Sequence, residues 1–212
     1  MKTDSLASKA FTELRKKILS KQLPVYTRFK EDEWARKLGV SRMAVREALT
    51  RLLGEDLVMM GEKGGYYIKP ILASEVHDTM QLREVMELGA IRLAVHRMSE
   101  EQIACLEKIC DEYTVMAGKG YYNGAVEAEM KFHETLIEYS GNNKLLQVYR
   151  SSHIPLFTEK LGTVHKNIDD YEQTDAEHRQ ILHALKSKNL ELAEQVLTLQ
   201  FERSEAVAMA MD

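Results

Sequence analysis

The chain has 212 residues, 44% of them hydrophobic and 29% charged, with 11 Gly and 3 Pro, a composition that excludes a disordered or fibrous protein. No run approaches the roughly 18 apolar residues of a membrane span, and the charged N-terminus MKTDSLASKAFTELRKK has no apolar signal core, so a cytoplasmic location and no membrane partner are expected. The formal charge of −4 is unevenly spread: residues 1–70 carry 15 Lys and Arg against 9 Asp and Glu, +6, whereas residues 71–212 carry 14 against 24, −10.

A basic segment on an acidic body points to a polyanion met by the N-terminal part alone. There, Ala7, Phe11, Leu14, Ile18 and Leu19 keep a helical period, with a start near Ser5 to Ala7 and a stop at Leu23-Pro24. A second helix is predicted from about Glu31 to Leu38, where Gly39 supplies the backbone freedom of a helix end. A third begins at Ser41, whose hydroxyl can cap it, and runs through RMAVREALTRLLGED. Two helices joined by so short a Gly-containing turn form a helix-turn-helix. LVMM and YYIKP, on either side of Gly61-Glu62-Lys63-Gly64-Gly65, then read as a hairpin, completing a winged helix-turn-helix in residues 1–70.

The third helix has two faces. Val45, Ala48, Leu49 and Leu52 share one arc and are expected to pack, while Arg42, Met43, Arg46 and Thr50 share another and are expected to meet DNA. Arg suits that role because its planar fork can bond guanine O6 and N7 together or clamp a phosphate.

From Ser74 onward the pattern is helical, with apolar positions such as Met80, Val85, Leu88, Ile91 and Leu93 and then Ile103, Leu106 and Ile109. Six helices are predicted, at about 74–97, 99–118, 121–140, 143–163, 168–187 and 189–210, with Pro155 kinking or interrupting the fourth. Residues 71–212 thus form an all-helical bundle, and the fold class is mainly α. Cys105 and Cys110 match no redox or zinc pair and read as core or inert thiols. His77, His96, His165 and His183 show no partner pattern and read as surface residues.

LGVSRMAVREALTRLLGEDLV followed by a Gly-bearing wing resembles the GntR family of bacterial transcription regulators across the whole N-terminal segment. The resemblance implies DNA contacts from Ser41, Arg42, Met43, Arg46 and the wing residues Lys63, Gly64 and Gly65. Two departures redirect the expected operator: Met43-Ala44 stands where the family usually has Thr-Pro or Thr-Thr, and Asp32 stands where it often has Arg. The second half is similar to the FCD effector domain of the FadR-type branch, through Leu82-Arg83 with Glu87, Phe132-His133 before Ser140-Gly141-Asn142, and Glu177-His178-Arg179-Gln180-Ile181. Many members of that branch hold a divalent metal there. The corresponding positions are Glu129, His133, His178 and Gln200, and zinc or nickel is the cofactor so implied. Gln200 stands where the family has His, and an amide oxygen is the weaker ligand for such metals.

Two other readings of those four residues stay open: polar bundle residues satisfying one another, and a metal-free pocket for an organic ligand. Such an effector would be a small anion, a carboxylate or phosphate, gripped by Arg83 and Arg150 with His153 nearby, although either Arg can instead bridge an acid. The resemblance further implies a homodimer on a palindromic double-stranded operator. Effector binding would alter the spacing of the two recognition helices, with the helix at 74–97 transmitting the change. The competing reading, a metal-dependent enzyme built on Glu129, His133 and His178 with an accessory nucleic-acid-binding domain, lacks an activated nucleophile, a phosphate loop and a second acid. A structural chromatin-like role is disfavoured by the acidic bundle.

Overall fold

The computed structural model describes residues 5–152, 154 and 168–209, and the chain divides into two compact units, Met1–Ile71 and Leu72–Asp212. The first holds α1 (Leu6–Leu19), β1 (Arg28–Phe29), α2 (Glu31–Leu38), α3 (Arg42–Gly54), β2 (Val58–Met60) and β3 (Tyr66–Ile68). Ser5 caps α1 by accepting from the Ser8 N–H at 3.1 Å, and Gly39 ends α2 at φ +65°, a conformation that costs a residue with a Cβ. α1 packs along α3. Leu14, Val45, Ala48, Leu49 and Leu52 disappear completely between them, each Leu contributing roughly 1.5–3 kcal/mol of transfer free energy. Phe11 departs from the expected apolar face: it is only half-buried, and the Arg51 guanidinium lies over its ring, 3.9 Å from the centroid.

The hairpin strands pair antiparallel with Val58 opposite Ile68 and Met60 opposite Tyr66. A strand the sequence pattern does not signal, β1, adds to the other side of β3, giving the order β1-β3-β2. Three helices and this sheet make a winged helix.

The second unit is all helical among the described residues: α4 (Ala73–Ala94), α5 (Glu100–Gly118), α6 (Tyr122–Tyr139), α7 (Asn143–Ser151), α8 (Ile168–Lys186) and α9 (Leu190–Met209). The capping box of Ser99 with Gln102 starts α5, and the Asn142 side chain caps α7 by accepting from Lys144 and Leu145 N–H. The core joins Ile91, Leu106, Ile109, Phe132, Leu136, Ile181, Leu197 and Phe201, from every helix but α7. The predicted fourth helix, 143–163, is shorter in its described part. It stops at Ser151, where Ser152 turns its hydroxyl onto the Tyr149 carbonyl. His153, Pro155 and His165 lie outside the described residues. Val85 and Leu93, expected among the core positions of α4, are instead exposed, Val85 by 71%. No described helix is long and apolar enough to cross a membrane.

Candidate nucleic-acid interface and buried polar centre

The two arcs of α3 separate as its period requires. Val45, Ala48, Leu49 and Leu52 face inward, and Arg42, Met43, Arg46 and Thr50 face out. Ser41 is the N-cap, its Oγ accepting from the Ala44 N–H at 3.1 Å, so its own O–H is left able to donate. Met43 is 68% exposed. Thr50, exposed on that arc, also donates to the Arg46 carbonyl and sits 2.9 Å from the Tyr66 hydroxyl, fastening α3 to the wing strand.

Two acids on α2 that the residue pattern does not single out as partners meet the two arginines. Arg46 forks onto Glu31, with Nε and Nη2 each 2.9 Å from a carboxylate oxygen. Arg42 Nε lies 2.9 Å from Asp32 Oδ1, and its Nη2 is 3.7 Å from Glu31. The hydrogen bonds from Arg46 hold the Glu31 carboxyl below the usual carboxylate range. Both guanidinium groups remain more than half exposed. Pairs this open to water contribute only about 0–1 kcal/mol, so a phosphate can replace either acid at little cost.

The wing tip is a tight turn in which Gly64 N–H donates to the Gly61 carbonyl at 2.8 Å and Gly61 N–H donates to Gly65 O at 3.0 Å. Lys63 is exposed at that tip. Gly65 has φ +90°, and a Cβ there would come 3.3 Å from Arg28 Nε. Arg28, brought to the wing by the unsignalled β1, is thus a further cation beside it, resting over the Tyr67 ring.

In the second unit the structure buries all four predicted ligands, Glu129, His133, His178 and Gln200. His133 and His178 meet, Nε2 to Nε2, at 3.4 Å. On its other side His133 Nδ1 is 2.5 Å from Glu87 Oε2, and Glu87 Oε1 accepts from Arg83 Nε at 2.7 Å. Arg83, Glu87 and His133 are each 97% or more buried. Burial alone would push the Glu87 carboxyl up. His133 and Arg83 outweigh it and hold the group below its ordinary range, a carboxylate. Arg83 also lies over the Phe201 ring, 5.0 Å from its centroid. Neither polar atom of the Gln200 amide has a hydrogen-bond partner among the described residues. Next to this centre, Arg203 bonds Glu177 through two nitrogens and Thr174 through one of them.

Two imidazole nitrogens on one tetrahedral zinc, each at about 2.0–2.1 Å, stand about 3.3–3.4 Å apart. The His pair matches that edge, and the Glu87 carboxylate behind His133 is the kind of group that orients a ligating imidazole. Yet no group of three or more His, Cys, Asp or Glu gathers as a metal site among the described residues. The residues therefore fill two of zinc's four positions and do not make a complete site. The predicted effector residues do not converge either. Arg83 is committed to Glu87 inside the bundle, whereas Arg150 lies on the outer surface, paired with Glu134 at 2.6 Å and facing a shallow groove lined by Asn143, Leu146 and Gln147. His153 falls outside the described residues. His77 is exposed but bonded to Glu205 of α9 at 2.6 Å, and burial pushes the Cys110 thiol up to about 12.

Residues 6–68 match the family of bacterial regulatory proteins of the gntR type, and residues 78–203 match the FCD domain. Among similar proteins, the uncharacterized HTH-type transcriptional regulator YdhC of Bacillus subtilis is 28% identical over 197 residues, covering 90% of this chain and 85% of its own. The gluconate operon transcriptional repressor of Bacillus licheniformis is 24% identical, covering 85% of this chain and 75% of its own. The solved structure of Escherichia coli McbR/YncC aligns over 96% of this chain and 97% of its own, at a TM-score of 0.73 and 20% identity.

Proposed function

The chain belongs to the GntR family of bacterial regulatory proteins and carries an FCD domain, so it is a transcriptional regulator and not an enzyme; from that premise we propose that it binds a palindromic double-stranded operator as a homodimer, through α3 and the wing. One observation carries the DNA reading: Arg42, Met43 and Arg46 stand together on the solvent arc of α3, capped by Ser41, in a unit whose wing tip also exposes Lys63. In this reading α3 enters the major groove with its N-terminal turn foremost. Arg46 or Arg42 leaves its α2 acid for guanine O6 and N7 or for a phosphate, and Met43 offers an apolar surface to a thymine methyl. Lys63 and Arg28 neutralise phosphates beside the wing.

The buried centre is proposed as the receiving site for a small anionic effector, a carboxylate or phosphate. Support comes from the Gln200 amide, which has an unfilled donor and an unfilled acceptor, in a bundle interior that also holds two imidazoles and Arg83. An interior polar group without a partner costs on the order of 1–3 kcal/mol, a cost that a ligand with oxygens would remove. An effector that binds one arrangement of the dimer better than another shifts operator affinity by its differential affinity for the two.

The test begins with a duplex selected by the wild-type protein from a random library. Arg42→Ala and Arg46→Ala are each expected to lose on the order of 1–3 kcal/mol of binding to it in gel-shift titration at fixed salt, with unchanged circular dichroism. Wild-type affinity in both variants would show that α3 does not read DNA through this arc.

A further inference from the structure

The first turn of α2 holds three acids in a row, Glu31, Asp32 and Glu33, and the roughly 100° step of a helix sends them three ways. Glu31 lies against Arg46 with only 18% of its side chain exposed, and Glu33 pairs within its own turn, with Lys30 at 2.9 Å. Asp32 stays at the surface, 63% exposed, and meets the Nε corner of Arg42. The two arginines therefore differ in what they have left. Arg46 gives Nε and Nη2 together to one carboxylate. Arg42 faces Asp32 through Nε, and its Nη2 stands 3.7 Å from Glu31, too far for a hydrogen bond. The outer Nη1 and Nη2 edge of Arg42 is thus left for DNA, and its two parallel N–H groups fit guanine O6 and N7.

We propose that Asp32 is a specificity-determining residue of the DNA interface: it holds Arg42 by Nε with the outer edge turned to a guanine, and it accepts from the N4 amino group of a cytosine beside that guanine. This deepens the reading of DNA by α3 proposed above and rests on it. An oxygen 2.9 Å from the guanidinium of a base-reading arginine is itself close to the base edges. A carboxylate has about four lone-pair sites and no proton to donate, so Asp32 keeps acceptor capacity after meeting Arg42. It gains from cytosine, which offers an amino group alone, whereas guanine O6 and N7 and thymine O4 would oppose it with further acceptors, and adenine sets N7 beside its amino group. Arg42 in this arrangement reaches a base without leaving its acid, but a phosphate would have to displace that acid.

Selection of duplexes from a random library by the full chain, with sequencing of the bound pool, tests this position by position. The wild type should fix a guanine with a cytosine beside it. Arg42→Ala should relax the guanine, and Asp32→Ala should relax the cytosine and in part the guanine, each from a preference of about tenfold toward parity. On a random-sequence duplex, Asp32→Ala should bind more tightly in gel-shift titration, and its slope of log Kd against log salt should steepen by about one, because the Arg42 charge is then open to a phosphate. An acid that served only the N-terminus of α2 would lower stability when removed and move neither readout. Base preferences in Asp32→Ala that match the wild type at every position, or a lost preference for an A·T pair, would overturn the role of Asp32 while leaving the reading by α3 in place. Wild-type preferences in both Arg42→Ala and Arg46→Ala would overturn that reading, and the role of Asp32 with it.

Discussion

Replacing Glu87 by Gln keeps the shape of the side chain and removes its charge at a place where water cannot substitute for it. Glu87 is fully buried between Arg83 and His133, so Glu87→Gln leaves the Arg83 cation in the bundle interior without its counter-charge. Removing one partner of a buried pair costs about 3–5 kcal/mol, against a total stability of about 5–15 kcal/mol for a whole domain. At about 2–4 °C per kcal/mol for a chain of this size, the melting temperature of the bundle should fall by about 6–20 °C. Far-UV circular dichroism follows this change, since α4 to α9 carry most of the helix. The single tryptophan, Trp34, lies in the other unit, so its fluorescence transition is an internal control and should not move. Adding Arg83→Met removes the stranded cation, and the double variant should be at least about 2 kcal/mol more stable than the sum of the two single losses predicts. A fall below about 2 °C in Glu87→Gln, or additive losses in the double variant, would refute the buried-pair argument.

Gln200→His adds a third imidazole to a centre that already holds His133 and His178, and should produce a rise in melting temperature on adding zinc or nickel that exceeds any in the wild type; His133→Ala should abolish that response. No metal-dependent shift in Gln200→His would mean that position 200 does not share a site with the two histidines. His77, raised by the hydrogen bond it donates to the Glu205 carboxylate, should titrate above its ordinary value in NMR, and Glu205→Gln should bring it back. Because the folded value is the higher one, the contribution of this contact is complete below the unfolded pKa of about 6.5 and fades as pH rises through the folded value; an unshifted His77 in the wild type would rule the contact out. Cys110, buried and with its thiol raised, should react with iodoacetamide far more slowly than Cys105 at pH 8; equal rates in the folded protein would contradict its burial.

What the sequence reveals here is what repeats along a helix. The two arcs of α3 follow from period alone, because Val45, Ala48, Leu49 and Leu52 are apolar and their opposite face is not. The same logic misplaces Val85 and Leu93: in α4, apolar residues occupy both the core side and the outer side, and periodicity cannot say which of two apolar faces is buried. β1 is invisible to pattern because two residues contain no alternation, and only its pairing with β3 defines it. Glu87 is legible as a helical neighbour of Arg83 four residues away, but its place behind His133, 46 positions later in the chain, is a product of tertiary packing. Asp32 and Glu31 could be suspected as partners of Arg42 and Arg46 from opposite charge, yet a loop and a helix turn separate them, and only the helix-turn-helix angle brings the carboxylates within reach.

The acids of α2 have a consequence for how such a protein would search a chromosome. In the proposed binding mode an encounter with DNA, cognate or random, begins with Arg42 and Arg46 already satisfied by Asp32 and Glu31, so each would exchange one anion for another instead of gaining a first one. The exchange reduces attraction to any stretch of phosphate by the same amount, whereas base-edge contacts remain available only at the right sequence. Random sites outnumber an operator by about a million-fold or more, and weak adherence to each of them shortens the time lost there. A recognition surface neutralised in this way would therefore trade speed of first capture for freedom of movement between sites.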